Sequence, residues 1–146
     1  MPTPKQPTDS PAEYALTEQV GFILRRATQR HLTIFSEWIP DLTPTQFAAL
    51  AKLRELGSVS QNELGRQTAM DGATIKGVID RLRKKGFVET EPDPDDLRRI
   101  IVSPSQAGVD AFDGYADAAE AISEKTLAPL KARERARFLE LLRKIT

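Results

Sequence analysis

A chain of 146 residues with 40% hydrophobic side chains is one domain with enough apolar material to fill a core. Its 21 acidic and 21 basic residues cancel, so it is no general DNA-coating protein, and any affinity for nucleic acid has to come from local patches. The absence of cysteine and a single histidine exclude thiol redox sensing, disulfides and a conventional zinc site; with no leader pattern and no run near the roughly 18 apolar residues of a membrane span, a soluble cytoplasmic protein without a membrane partner is expected.

Residues 1–9, proline-rich and polar, read as a flexible N-terminal arm in contact with a partner subunit. Ser10, Pro11 and Glu13 supply an N-cap, a first-turn proline and an acid three residues after the cap, so a helix is expected to start there and run to about Trp38. Its apolar stripe is Leu16, Val20, Ile23, Leu24, Ala27, His31, Ile34, Phe35 and Trp38, which points the histidine inward. Two readings of His31 stay open. One is a core histidine satisfied by a neighbouring carbonyl or carboxylate. The other is a pocket for a small aromatic acid, in which His31 with Arg30, Phe35, Trp38 and Gln46 offers a cation or imidazole beside aromatic walls. The cap-and-proline device recurs at Thr43-Pro44-Thr45-Gln46 and at Ser103-Pro104-Ser105-Gln106, dividing the chain after the arm into 10–40, 41–103 and 104–146.

Thr43 to Leu56 reads as a second helix with Phe47, Leu50, Ala51 and Leu53 inward and Gly57 as its stop. Ser58-Val59 is long enough only for a stub of strand. Ser60 and Glu63 form the S-x-x-E start of a short helix with Leu64 inward, and Asp71 followed by Gly72 caps the next one. From Asp71 to Lys85, Ile75, Val78, Ile79 and Leu82 fall at i, i+3, i+4 and i+7, a buried stripe. The opposite face carries Ala73, Lys76, Gly77, Asp80, Arg81 and Lys84. Small residues near the N-terminal end and cations toward the other suit a helix in a major groove; they also suit a solvated face whose cations complement the helix dipole. After Gly86, the β-rich runs Phe87–Glu91 and Arg99–Val102 flank a turn of two prolines and three aspartates. Helix, turn, helix and hairpin in that order is a winged helix-turn-helix. The fold class expected is therefore mainly α with a small β-hairpin wing.

A further helix from about Pro104 to Lys125 carries Val109, Phe112, Ala116, Ala119 and Ile122, and a last one from Pro129 holds Leu130, Phe138, Leu139, Leu141, Leu142 and Ile145. The terminal helices have more apolar surface than one winged-helix module covers. They are expected to act as dimerisation helices of a homodimer whose recognition helices lie about one DNA turn, roughly 10 bp, apart.

The stretch Leu42 to Gly108 resembles the MarR family of bacterial transcription regulators. The residues that carry the likeness are DRLRKKGFVE at Asp80 to Glu89 and DPDDLRR at Asp93 to Arg99, where that family has a wing with a D-x-R motif, here Asp96 and Arg98. Leu97 stands where many members have a second basic residue, so a less basic wing tip is expected. The LT-x-x-G signature after the wing appears as Pro104-Ser105-Gln106-Ala107-Gly108. The resemblance implies that Arg98 enters the minor groove of double-stranded DNA. With it, Ala73, Lys76 and Gly77 would face base edges and Arg81 and Lys84 would contact phosphates, with Thr74 and Arg99 also expected among the DNA-binding residues. Relatives often bind aromatic acids between the first helices and the DNA module, where Arg30, His31, Phe35, Trp38 and Gln46 are expected. The stretch EYALTEQVGFILRRATQRHLTIF is similar to a subgroup controlling catabolism of nicotinate and related aromatic acids.

The expected function is thus a ligand-released repressor on a pseudo-palindromic operator, with a small-molecule effector and no other cofactor. The acidic cluster Glu89, Glu91, Asp93, Asp95 and Asp96 can be read as a metal or catalytic site. It lacks the glycine and spaced ligands of a calcium loop, and no nucleophile, base or phosphate loop accompanies it, so neither a metal nor an enzyme is expected. Its expected use is positioning of Arg98 by charge pairing, or it is simply a solvated turn. The alternative function is a winged-helix dimer acting through protein contact without specific DNA binding, which mutation of Arg81 and Arg98 would leave intact.

Overall fold

Hydroxyl and carboxylate caps set most of the helix starts. The computed structural model describes residue 2 and residues 13–146, so the arm at residues 1–9 and the helix start at Ser10 and Pro11 lie outside the described residues. The elements are α1 (Val20–Trp38), α2 (Pro44–Leu56), β1 (Val59–Ser60), α3 (Gln61–Gln67), α4 (Gly72–Lys84), β2 (Val88–Pro92), β3 (Ile100–Pro104), α5 (Gln106–Thr126) and α6 (Ala132–Arg143). Thr43 caps α2 with a reciprocal box: its Oγ1 accepts from the Gln46 amide at 3.2 Å and its own amide donates to Gln46 Oε1 at 3.2 Å. At α3 only half of the expected box forms. Ser60 Oγ accepts from the Glu63 amide at 3.2 Å, but the Glu63 carboxylate turns to Arg66 and Gln67 instead of Ser60.

Three sheet strands follow the order β1-β3-β2, all antiparallel, with Val102 opposite both Val59 and Thr90. The stub of strand thus joins the wing. Gly57 and Gly86 end α2 and α4 at φ +75° and +78°, a conformation that lets the chain turn at once into β1 and β2. One core joins α1 to α5, and α6 adds no buried residue to it. Phe35 and Ile39 from the α1 end, Leu50 and Leu53 of α2, Leu64 of α3, the α4 stripe, Val88, Val102 and Ile122 of α5 form a single buried cluster. The 10–40, 41–103 and 104–146 segments therefore share this core.

Three sequence-based boundaries need correction. The first α-helix among the described residues begins at Val20, so the expected run up to Trp38 is broken before it: Leu16–Glu18 form one 3-10 turn, and Gln19 is extended at φ −83°, ψ 138°. The stripe that suggested a continuous helix is exposed here, with Leu16 at 53% and Val20 at 66%, so no packing among the described residues holds that turn helical. Next, α5 is capped by Ser105 rather than Ser103, because β3 continues to Pro104 opposite Val88; Ser105 Oγ accepts from the Gly108 amide at 3.1 Å. Finally, Pro129 lies in a turn, and α6 starts at Ala132 with the Lys131 amide donating to Glu134 Oε1 at 2.8 Å.

The LT-x-x-G-like glycine has a clear use. A Cβ on Gly108 would lie 2.1 Å from the Phe87 carbonyl oxygen, which accepts from the Ser105 amide at 3.0 Å. Only a residue without a side chain lets the first turn of α5 press on the link between α4 and β2.

Candidate nucleic-acid interface and effector pocket

The turn between α3 and α4 is tight. The Met70 amide donates to the Gly65 carbonyl at 2.8 Å, and a Cβ on Gly65 would come 3.1 Å from Met70 O and 3.2 Å from Ile75 Cγ2. Asp71 then caps α4, its carboxylate accepting from the Thr74 amide at 2.7 Å; that hydrogen bond holds the Asp71 carboxyl below the usual carboxylate range. Ile75, Val78, Ile79 and Leu82 are all at most 3% exposed, each worth about 1.5–3 kcal/mol of burial, and they fix the helix so that its other face is presented as a rigid surface.

On that outer face Ala73, Thr74, Lys76, Arg81 and Lys84 are exposed and Gly77 is half-buried. Contacts within the chain sort the basic residues. Arg83 Nη1 donates to Thr90 Oγ1 at 3.1 Å and Lys85 Nζ donates to the Asp41 carbonyl at 3.1 Å. Lys76, Arg81 and Lys84 have no hydrogen-bond or ion-pair partner among the described residues.

The wing presents Arg98 deliberately. Its backbone amide and its Nε both donate to Asp96 Oδ1 at 3.1 Å, while the side chain stays 91% exposed. These hydrogen bonds, the side-chain one first, hold the Asp96 carboxyl below its usual range. The acidic wing therefore orients Arg98, as the sequence suggested. Arg99 is less free: its Nε lies 3.9 Å from Asp93 Oδ2 and its side chain is 54% exposed. Both arginines flank a small cleft of about 80 Å³ with Ser60, Gln61, Asn62 and Ile100. Gln61 and Asn62 were not singled out from the sequence; two amide side chains opening α3 beside the wing are the signal that was there. Leu97 is 76% exposed at the wing tip. Among the described residues no cluster of three or more His, Asp or Glu is placed to hold a metal.

The five residues expected to line an aromatic-acid pocket do not come together. His31 and Phe35 do, lining a cavity of about 270 Å³ between α1, α2 and α5 with Pro44, Phe47, Ala119, Ile122 and Ser123. Arg30 and Trp38 instead fasten the C-terminal end of α5: Arg30 Nη2 donates to the Lys125 carbonyl at 2.8 Å, and Lys125 Nζ sits 5.2 Å from the Trp38 ring centroid. Gln46 is buried at 6% and spends its amide oxygen on the α2 cap; it faces a different recess, near Asp41 and Lys85. The wall that sequence reasoning missed is Phe47 and α5. Phe47 packs between Phe35, edge to face at a centroid distance of 6.0 Å, and Phe112, tilted at 5.4 Å. Small residues one turn apart, Ala119 and Ser123, leave the hole opposite. His31 also borders a second apolar recess of about 320 Å³ that continues along α1 and α5 to Phe138 and Leu142 of α6.

A capped helix pair whose second member carries unpaired cations beside an arginine-tipped hairpin defines a winged helix-turn-helix transcription regulator. The chain belongs to the MarR family. The MarR family model matches residues 42–100, and the transcriptional repressor NicR of Pseudomonas putida is 42% identical over 144 residues, spanning 95% of this chain and 91% of the relative. Among solved structures, a probable transcriptional regulator from Pseudomonas aeruginosa superposes with a TM-score of 0.88 at 47% identity, covering 90% of this chain and all of that one. BpsR of Bordetella bronchiseptica, whose DNA binding is regulated by 6-hydroxynicotinic acid, superposes at 0.86 with 39% identity over 90% of this chain and 96% of its own. These relatives are transcriptional regulators, not enzymes. No helix among the described residues is long and apolar enough to cross a membrane.

Proposed function

We propose that the chain is a homodimeric repressor that binds a pseudo-palindromic operator and is released by a small aromatic acid of the nicotinate type. The observation that carries the reading is the outer face of α4, where Lys76, Arg81 and Lys84 are exposed and have no partner among the described residues while the inner face is anchored, with Arg98 held outward beside it by Asp96. Ala73, Thr74, Lys76 and Gly77 would meet base edges, Arg81 and Lys84 phosphates, and Arg98 the minor groove, with Arg99 behind it. The homodimer is supported by apolar residues at the two ends of the chain. Val20, Ile23, Leu24, Phe138, Leu141 and Ile145 are 39–66% exposed along one cleft between α1 and α6, where a second copy would cover them. The likeness to NicR and BpsR supports the effector class, and the cavity at His31 and Phe35 is a place for it.

A gel-shift titration against the DNA upstream of the chain's own gene, with competitor DNA and a panel of aromatic acids including hydroxylated nicotinates, tests the reading. A specific shift abolished by one acid is expected. A folded dimer that gives no specific shift would overturn it.

A further inference from the structure

The wing tip carries an apolar side chain that nothing among the described residues covers. Leu97 is 76% exposed, the highest value of any large hydrophobic residue described; Tyr14, Val20 and Ile145, next in exposure, belong to the two ends of the chain. Two successive turns place Leu97 there. The Asp96 amide donates to the Asp93 carbonyl at 3.2 Å and the Arg99 amide to the Asp96 carbonyl at 2.9 Å, so Leu97 and Arg98 are the two corner residues of the second turn. The Asp93 amide closes the loop onto the Arg99 carbonyl at 2.9 Å, and Asp96 Oδ1 accepts from the Arg98 amide at 3.1 Å. The tip is a tied loop whose corners are one apolar and one cationic side chain.

Charge alone makes a poor case for this tip on DNA. Four carboxylates, Glu91, Asp93, Asp95 and Asp96, stand against two arginines. Part of the arginine charge is already answered, that of Arg98 by Asp96 and that of Arg99 by Asp93. A wing of this composition gains little from phosphates at a distance and depends on close contact. Adjacent Cα atoms are roughly 3.8 Å apart, so an Arg98 that enters a minor groove about 6 Å wide carries Leu97 to the same groove. There the base pairs differ in one group: guanine adds an N2 amino donor where adenine has only a C2–H. The Leu97 side chain cannot accept from that amino group, and it displaces the water that would.

We propose that Leu97 is a specificity residue of the wing, which shuts the guanine amino group out of the minor groove beside each half-site and so selects A·T pairs under the tip. The inference rests on the operator reading proposed above and deepens it. Arg98 supplies attraction and Leu97 supplies choice. The narrow groove of A·T runs also suits an arginine, so the two residues favour the same pairs for different reasons, and only the leucine's preference follows the amino group through its own side chain.

Hydroxyl-radical footprints of the full-length protein and of Arg98→Ala on the DNA upstream of the chain's own gene locate the pairs under the wing, as those the variant leaves unprotected. Synthetic duplexes carrying A·T, G·C, inosine·C or 2,6-diaminopurine·T at those pairs then separate the amino group from the base, since inosine lacks it and diaminopurine has it. In anisotropy titrations at one fixed salt concentration, A·T and inosine·C are expected to bind on the order of tenfold or more tightly than G·C and diaminopurine·T, the factor that one unmet polar group costs. Leu97→Ala should bind all four duplexes alike, with the slope of log affinity against log salt unchanged because no charge is lost. Leu97→Asn, whose Oδ1 can accept from the amino group, should reverse the order. A wild type indifferent to the amino group, identical footprints for wild type and Arg98→Ala, or an order that survives in Leu97→Ala and so belongs to groove width, overturns the proposal while leaving operator binding standing. Absence of any specific footprint from the folded dimer overturns both.

Discussion

Gly77→Ala separates stability from DNA binding in one substitution. A Cβ added at Gly77 meets only Arg81 Nη1 at 3.7 Å, an ordinary contact. Inside a helix, glycine costs roughly 0.5–1 kcal/mol relative to alanine. The free protein should therefore gain about that much stability, and Tm should rise by roughly 1–4 °C for a chain of this size. Nothing within the chain explains a glycine here, and on the proposed function the reason lies outside it, in the approach of α4 to the floor of the major groove. A methyl group at that point should cost about 1–3 kcal/mol of operator affinity, on the order of 5- to 150-fold. Thermal melts and fluorescence anisotropy with labelled upstream DNA, both at one fixed salt concentration, measure the two effects. A stabilised variant with unchanged affinity would take Gly77 out of the interface. A destabilised variant would refute the structural premise, that the space beside Gly77 is open.

The wing makes a pair of opposite predictions: Arg98→Ala should lower the slope of log affinity against log salt by about one unit if it meets a phosphate, and Leu97→Lys should raise it by about as much. Equal slopes in all three proteins would remove the wing tip from DNA contact. Gly108→Ala forces a Cβ to within 2.1 Å of the Phe87 carbonyl, so either α5 or the α4–β2 link must shift; a loss of about 1–3 kcal/mol or more in denaturant unfolding is expected, where Gly114→Ala, with open space around it, should cost nothing. The caps give a pH prediction. Asp71 and Asp96 have folded-state values below the ordinary carboxylate range, so their contributions are complete above that range and are lost as pH falls through the depressed values. The stability difference between wild type and Asp71→Ala should thus be constant near neutrality and shrink below about pH 4.

What the sequence made legible was whatever depends on local pattern. The α4 stripe at 75, 78, 79 and 82 names its buried residues because a fixed 100° turn leaves no freedom once one face is apolar. The Thr43, Ser60 and Asp71 caps were readable for the same reason: the cap and the amide it serves are three residues apart. Ser103, which was expected to cap, and Ser105, which does, offer the same local chemistry, and the choice fell to the pairing of Val88 with Pro104, across a hairpin. The first helix failed differently. Its stripe was correctly apolar, but apolar periodicity holds a helix only where a partner surface exists, and at Leu16 and Val20 the described residues provide none. The pocket was hardest. Arg30, His31, Phe35 and Trp38 are neighbours along one helix, yet Arg30 and Trp38 reach the end of α5 while the opposing wall comes from Phe47, Ala119 and Ser123, 12 or more positions beyond Phe35. Periodicity assigns a face to each helix; it does not say which faces meet.

How a ligand in that cavity would reach the DNA face is constrained by what is rigid. The first turn of α5 is pressed on Phe87 through Gly108 and tied to it by the Ser105 amide, and the Phe87 amide donates to Leu82 at the end of α4 at 3.0 Å. The α4 end, the start of β2 and the start of α5 therefore form one block with no soft joint between them. The link between α1 and α2 is tied to α5 and to the α4 end by polar contacts: Tyr115 Oη donates to Asp41 Oδ2 at 2.7 Å, which raises the tyrosine pKa, and Lys85 reaches the Asp41 carbonyl. A ring wedged between Phe47 and Ser123 would act on the far part of α5, more than a turn away from the fixed block, and any tilt it imposed there would turn that block as a unit. On the proposed function the effector would not reshape the α4 surface, whose four apolar anchors leave it no alternative packing. It would change the angle at which each subunit carries an intact surface to its half-site, which is enough to break simultaneous contact with two adjacent major grooves.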